Sequence, residues 1–421
     1  MSGPAPGGNP TDKPQDGKPN DNKPKDDVPK AKRYRVDSYH INVGTGDAAV
    51  HVLVAEFDGK ADRAEKLVWV DSGHGKAKPM AQLELAFKKI PTNYANLPPN
   101  EIRFDSIIIT HWDEDHCGAI LDLYRKDTKN LEGKATKKLE GYLRTQSPNT
   151  RIFCASEKGG ATKENPFNAI LGKKRKTGDI LQQSLKIGKL TADVIVGTGM
   201  IGTDVFSTNA VGTPDRRDMK DLDALLASFT PGAEKDADKP KDAEKPKGTE
   251  KPKDTAKPKD TETPKDTTNV TQDAERPLLI IVTVDEKVIG MDKKRLEAYK
   301  KAAVWEDPST DTNKSSIGAL IVWPTSRRVS HYFAGDLHYQ HENVLAEWLS
   351  KTKFSGATTM KASHHGSASS TPVKLLQVLQ PKNIIMSAGR DHRHPGMFRS
   401  VPPLQPLTDG RNRLGDHHGH Q

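Results

Sequence analysis

Two imidazoles and three carboxylates fall within six consecutive residues, His111-Trp112-Asp113-Glu114-Asp115-His116, directly after the apolar run Ser106-Ile107-Ile108-Ile109. A buried strand that ends in such a cluster gathers nitrogen and anionic donors at one point. That much uncompensated charge at the edge of a core is costly, and a divalent cation is the usual compensation. In an extended stretch alternate side chains share a face, so His111, Asp113 and Asp115 can point together, and His116 joins where the chain turns. The pattern predicts metal chemistry.

Three later segments follow the same logic, each close to the end of an apolar strand. Ala334-Gly335-Asp336-Leu337 closes the run 329–334, and the glycine permits a tight approach to another backbone or a ligand. Ser363-His364-His365-Gly366-Ser367 follows a short strand at 358–362, and one of the adjacent histidines is a candidate metal ligand. Gly389-Arg390-Asp391-His392-Arg393-His394-Pro395 mixes cations with imidazoles, which suits contact with an anionic substrate or proton delivery more than ligation. Cys117 reads as filling the start of a helix and Cys154 as core, while His40, His51 and His74 are dispersed.

The elements that must position these groups alternate in type along the chain. Periodicity predicts strands at 34–43, 49–57, 67–71, 102–110, 151–155, 193–197, 278–284, 318–323, 329–335 and 383–388. It predicts helices at 80–89, 117–125, 219–229, 293–304, 342–351 and 372–379. The early strands read as hairpins rather than as strand–helix repeats, so the expected architecture is layered α/β with substantial antiparallel content.

Low-complexity tracts break the pattern. Residues 1–33 are rich in Lys, Pro and Asp, and residues 232–276 carry a six-residue repeat beginning Lys239-Pro240-Lys241-Asp242-Ala243-Glu244. A proline in every copy and the lack of an apolar face predict disorder in both tracts. The folded domain is therefore expected in two parts, 34–231 and 277–405, followed by a flexible His-containing tail at 406–421. Net charge is +9, and because the tracts nearly cancel internally, the excess lies on the body. A basic body around an acidic pocket suits a polyanionic substrate. No run of 18 apolar residues occurs, which predicts no membrane insertion. Two cysteines and a polar N-terminal stretch predict a reducing, cytoplasmic setting. Oligomeric state is not legible.

The order His-x-Asp-x-Asp-His, then Gly-Asp, His-His-Gly-Ser and a late His-Pro resembles the metallo-β-lactamase superfamily. Within it, the chain is most similar to the hydrolase-like domain of ComEC-type DNA-uptake proteins and their stand-alone soluble relatives. Val43-Gly44-Thr45-Gly46-Asp47, Val70-Asp71-Ser72-Gly73 and Asn313-Lys314-Ser315-Ser316 resemble that branch too. The resemblance covers roughly 34–400. It implies a four-layer αβ/βα sandwich with two divalent metal ions at one edge of mixed sheets. His111 and Asp113 would bind the first ion, Asp115 and His116 the second, with Asp336 bridging, His364 completing the second and Asp71 orienting a ligand from behind.

Asp113 stands where most members of the superfamily have histidine, and no histidine occurs between His116 and His331. Asn313 falls about where the missing imidazole would be, so it is a further candidate ligand. Oxygen in place of nitrogen makes that site harder, so manganese competes with zinc. With no serine or cysteine nucleophile beside a base, the expected nucleophile is a metal-bound hydroxide oriented by Asp115. His365 or His394 would protonate the leaving group or hold an oxyanion. The expected activity is hydrolysis of a phosphodiester or nucleic acid. The alternatives are a small-molecule lactam, lactone or thioester as substrate, or a non-catalytic metal-binding scaffold with a degenerate site.

Overall fold

A computed structural model of the chain describes residues 31–99, 101–124, 150–155, 181–187, 190–207, 275–291, 311–352, 354 and 356–388. The expected helices at 219–229 and 293–304, almost all of the two low-complexity tracts, His394 and the tail at 406–421 lie outside the described residues.

Two mixed sheets carry the structure. The first holds β1 (Arg33–His40), β2 (Ala49–Phe57), β3 (Lys60–Val70), β4 (Ser106–Ile109), β5 (Thr150–Cys154), β6 (Leu181–Ile187) and β7 (Leu190–Val196), in the order β1-β2-β3-β4-β5-β7-β6. β1, β2 and β3 form antiparallel hairpins, and β3, β4, β5 and β7 run parallel. The second sheet holds β8 (Leu278–Val284), β9 (Lys287–Val288), β10 (Gly318–Trp323), β11 (Arg328–Phe333), β12 (Thr359–Lys361) and β13 (Asn383–Ile385). Its order is β13-β12-β11-β10-β8-β9, antiparallel from β9 to β11 and parallel from β11 to β13.

Side-chain alternation along these strands builds three apolar layers. Leu53, Val68, Val70 and Ile108 of the first sheet meet Leu279, Ile281, Ala319, Ile321 and Phe333 of the second. The outer face of the first sheet is covered by α1 (Ala77–Lys89) and α2 (Glu114–Tyr124). Met80, Leu83 and Phe87 recur at helical spacing on α1, and the Phe87 ring meets Trp69 edge-on at 5.0 Å. The second sheet is covered by α3 (Tyr339–Thr352) and α4 (Val373–Leu379), through Leu345, Leu349, Leu375 and Leu379. The result is the expected four-layer αβ/βα sandwich.

Several expected boundaries move for identifiable reasons. β3 starts at Lys60 rather than at 67, because Asp58-Gly59, with Gly59 at φ +65°, closes a tight hairpin to Phe57. The charged residues of its first half sit on a largely exposed stretch, which hides its apolar signal. β11 stops at Phe333, and Gly335 at φ +51° turns the chain before Asp336. Among the described residues no helix is long and apolar enough to cross a membrane.

Candidate metal centre

Strand ends of both sheets deliver the chemical groups. β4 is buried along its whole length between β3 and β5, and the chain leaves it at Thr110-His111 to enter α2, whose first turn contains Asp115 and His116. β3 leads into Asp71, whose backbone is left-handed at φ +51°. Asp336 follows β11. His364 and His365 follow β12 in a turn that holds both at positive φ, 48° and 54°. Two consecutive non-glycine residues in that region are strained and persist only where the surroundings fix them. Ser363 supplies much of that fixing: its hydroxyl bonds Glu342 at 2.7 Å, its N–H donates to Thr371, and its carbonyl accepts from Ser370 at 2.6 Å.

The imidazoles converge on one carboxylate. His116 Nε2 lies 3.2 Å from Asp336 Oδ1, and His365 Nε2 lies 3.4 Å from Asp336 Oδ2. The two Nε2 atoms are 3.3 Å apart, and His365 Nε2 is also 3.3 Å from Asp115 Oδ2. Each ring is held from its other edge: His116 Nδ1 donates to Asp71 at 2.9 Å and His365 Nδ1 to the Ser387 carbonyl at 2.9 Å. Asp71 also accepts from the Thr110 N–H and hydroxyl, at 2.8 and 2.7 Å. Asp47, His116, Asp336 and His365 offer ligand atoms that all lie within 4.8 Å of one another, and all four residues are buried.

A second set lies farther from Asp336. His111 Nε2 is 3.6 Å from Asp113 Oδ2 and 3.9 Å from Asp336 Oδ2, and His364 Nε2 is 3.8 Å from the same oxygen. His364 also meets Ser369 through Nδ1 at 3.1 Å, and its ring stacks on His338 at 5.8 Å. Asn313 is buried, and its neighbour Thr312 bonds the Asp113 carboxylate.

These residues fit a cation. Among the described residues, Nε2 of His111 and Oδ1 of Asn313 are buried without a hydrogen-bond partner. With both Nδ1 atoms donating backward, it is the Nε2 atoms of His116 and His365 that face the same carboxylate, and on losing their protons they would present lone pairs to an ion there. Burial opposes charge on His116, yet Asp336, Asp47 and Asp71 outweigh it and hold its pKa well above the ordinary imidazole value. Burial likewise opposes charge on His365, and Asp336 and Asp115 push it up to about 9. Groups that attract protons this strongly attract a divalent ion by the same field, which would take the protons' place.

Of the residues singled out in the sequence, the structure brings Asp115, His116, Asp336 and Asp71 together, while His111 and His364 lie 3.9 and 3.8 Å from Asp336 and Asp113 lies 3.6 Å from His111. His365, expected as a proton donor, belongs to the tight group with Asp47, His116 and Asp336. Sequence reasoning passed over two members. Asp47 is carried by the β1–β2 loop, where Gly46 at φ +105° lets the backbone lie against Asp115, and the Asp47 N–H donates to the Asp115 carbonyl at 3.1 Å. Lys361 is buried at the end of β12 and forms an ion pair with Asp47. Burial disfavours its charge, but Asp47 and Asp336 outweigh that and raise its pKa. The Gly-x-Gly-Asp sequence of the loop was the available signal for Asp47; nothing marked Lys361.

No protein-family model matches the chain, and no solved structure does. Over 88 residues, 21% of this chain, it is 34% identical to ComE operon protein 3 of Bacillus subtilis (strain 168). That segment spans only 10% of the length of the Bacillus protein.

Proposed function

We propose that the chain is a metal-dependent hydrolase of the metallo-β-lactamase type, acting on a phosphodiester, nucleic acid included. The observation that carries this reading is the convergence of the His116 and His365 Nε2 atoms on Asp336, with each ring held from behind. The four-layer sandwich and the partial similarity to ComE operon protein 3 support it.

Two divalent ions, zinc or manganese, would supply an activated water and polarise the attacked oxygen. His111, Asp113 and His364 would hold one ion, and Asp115, His116 and His365 the other. Asp115 is the most open carboxylate beside His365, with its side chain 20% exposed, and it orients the attacking water by accepting a hydrogen bond. Both nitrogens of His365 are engaged, so the leaving-group proton falls to another residue. The positive excess of the chain favours an anionic substrate.

The test supplies Mn²⁺ or Zn²⁺ to the purified protein and follows cleavage of single-stranded DNA and of bis(p-nitrophenyl) phosphate. Wild type should cleave and His116→Ala should fall to background; equal rates would overturn the reading. Weakening of substrate affinity by salt would support the polyanion class, and indifference to salt would point to a small neutral substrate.

A further inference from the structure

We infer that Lys361 and Asp47 form a positioning pair, which locks the imidazoles and the Asp336 turn together from behind while Asp47 itself stays outside the coordination sphere. The inference rests on the metal-centre reading above and deepens it.

The Asp47 carboxylate faces the wrong edges of both rings for ligation. Its Oδ2 lies 3.7 Å from His116 Nδ1, and its Oδ1 lies 3.6 Å from His365 Nδ1. Those nitrogens already donate to Asp71 and to the Ser387 carbonyl, and the ring edges that meet Asp336 are the opposite ones. Nδ1 and Nε2 of one imidazole point in diverging directions, so a carboxylate behind Nδ1 does not share an ion held at Nε2. Asp47 is therefore near the other three members of the group without pointing where they point.

Lys361 explains what Asp47 does there. Its ammonium pairs with the Asp47 carboxylate and donates to the Gly335 carbonyl at 3.2 Å. The same carbonyl accepts the His364 N–H at 2.9 Å. One buried cation thus joins three chain segments: the β1–β2 loop, the turn before Asp336 and the strained histidine turn. The Asp47 backbone extends the lock, donating to the Asp115 carbonyl and accepting from the Gly73 N–H at 2.8 Å. A buried ammonium is costly unless it is paired and bonded, and here its partners are the supports of the ligands rather than solvent. Outer partners of this kind orient ligands and set their affinity without touching the ion.

The experiment uses Co²⁺ as the probe, because its visible absorption reports ligand number and geometry independently of any activity. Asp47→Asn, which keeps shape and removes charge, is compared with Lys361→Met and with the double variant, each titrated with Co²⁺ and melted without metal. The expected result is an unchanged cobalt spectrum and stoichiometry, affinity lower by about 10- to 100-fold in each single variant, and little further loss in the double. A changed spectrum or lost equivalent in Asp47→Asn would make Asp47 a ligand and overturn the inference. So would tighter binding in Lys361→Met, as expected of a released ligand, or unaltered affinity with only a lower melting temperature. Should Lys361→Met fail to fold, the isosteric Asp47→Asn decides. Failure of wild type to bind Co²⁺ would remove the metal-centre reading together with this one, whereas wild-type binding that the variants leave intact would remove this one alone.

Discussion

The Asp71 carboxylate grips His116 and the strand that precedes it at the same time, bonding His116 Nδ1 at 2.9 Å and the Thr110 N–H at 2.8 Å. A single side chain therefore fixes both where the imidazole stands and which nitrogen carries its proton. Asparagine tolerates the left-handed backbone at this position, so Asp71→Asn should fold. Its amide NH₂ facing Nδ1 would drive the proton to Nε2 and remove the lone pair from the centre. Zn²⁺ affinity, measured by chelator competition, should fall about 10- to 100-fold. Unaltered affinity would mean that His116 does not bind through Nε2.

Gly46 offers a steric test. A Cβ there would stand 2.0 Å from the Asp115 carbonyl oxygen, whereas one at Gly44 would meet nothing within 4 Å. Both glycines have positive φ, +105° and +85°. Gly44→Ala should therefore cost only backbone strain, on the order of 1–3 kcal/mol, and Gly46→Ala should cost clearly more. Urea unfolding of the two variants checks the difference, and Gly46→Ala alone should also weaken Zn²⁺ binding, because it displaces Asp115.

Removal of Glu342 should loosen the histidine turn. Its carboxylate accepts from the hydroxyls of Tyr332 and Ser363, at 2.9 and 2.7 Å, and from the Thr371 N–H. Glu342→Ala leaves three buried donors unmatched, at about 1–3 kcal/mol each, while Glu342→Gln keeps one acceptor oxygen. Urea midpoints should fall in the order wild type, Gln, Ala. An Ala variant as stable as wild type would show that the turn is held by other bonds.

Stability should depend on pH in two opposed ways in the metal-free protein. His40, His51 and His331 pack with ring centroids 4.9–6.1 Å apart. Burial lowers His40 to about 4 and His331 to about 3, below the usual value of 6.5. The unfolded chain binds these protons first, so stability falls as pH drops below 6.5, by up to about 1.4 kcal/mol per unit for each group. His365, raised to about 9, contributes stability that is complete below 6.5 and lost as pH rises toward 9. Urea midpoints across pH 5–9 should show both limbs. His331→Leu should flatten the acid limb, and saturating Zn²⁺ should flatten the alkaline one, because a bound cation replaces the proton.

Much of this arrangement is legible in the residues. The strands Ala49–Phe57, Leu278–Val284 and Gly318–Trp323 coincide with their expected bounds, because continuous apolar runs belong to strands buried on both faces. Asp115, His116 and Asp336 were visible because ligand types stood at strand ends. β6, Leu-Gln-Gln-Ser-Leu-Lys-Ile, was not, since an edge strand of polar residues carries little periodic signal. Asp47 and Lys361 escaped for another reason. A lone aspartate after glycine, or a lone lysine in a strand, looks solvated until the fold brings each the partner that compensates its charge. The same holds for His331, which is far in the chain from His40 and His51 and adjacent to both in space.

His116 and His365 are 249 positions apart. The span between them contains the whole passage from one sheet to the other, so during synthesis the early imidazoles emerge long before the carboxylate and the histidine turn that complete their surroundings. On the metal-centre reading, any product broken off before Asp336 would carry donors with nothing to organise them. On the proposed reading, ion capture would be a late event in the life of the polypeptide, and possession of the ion a certificate that both sheets are complete.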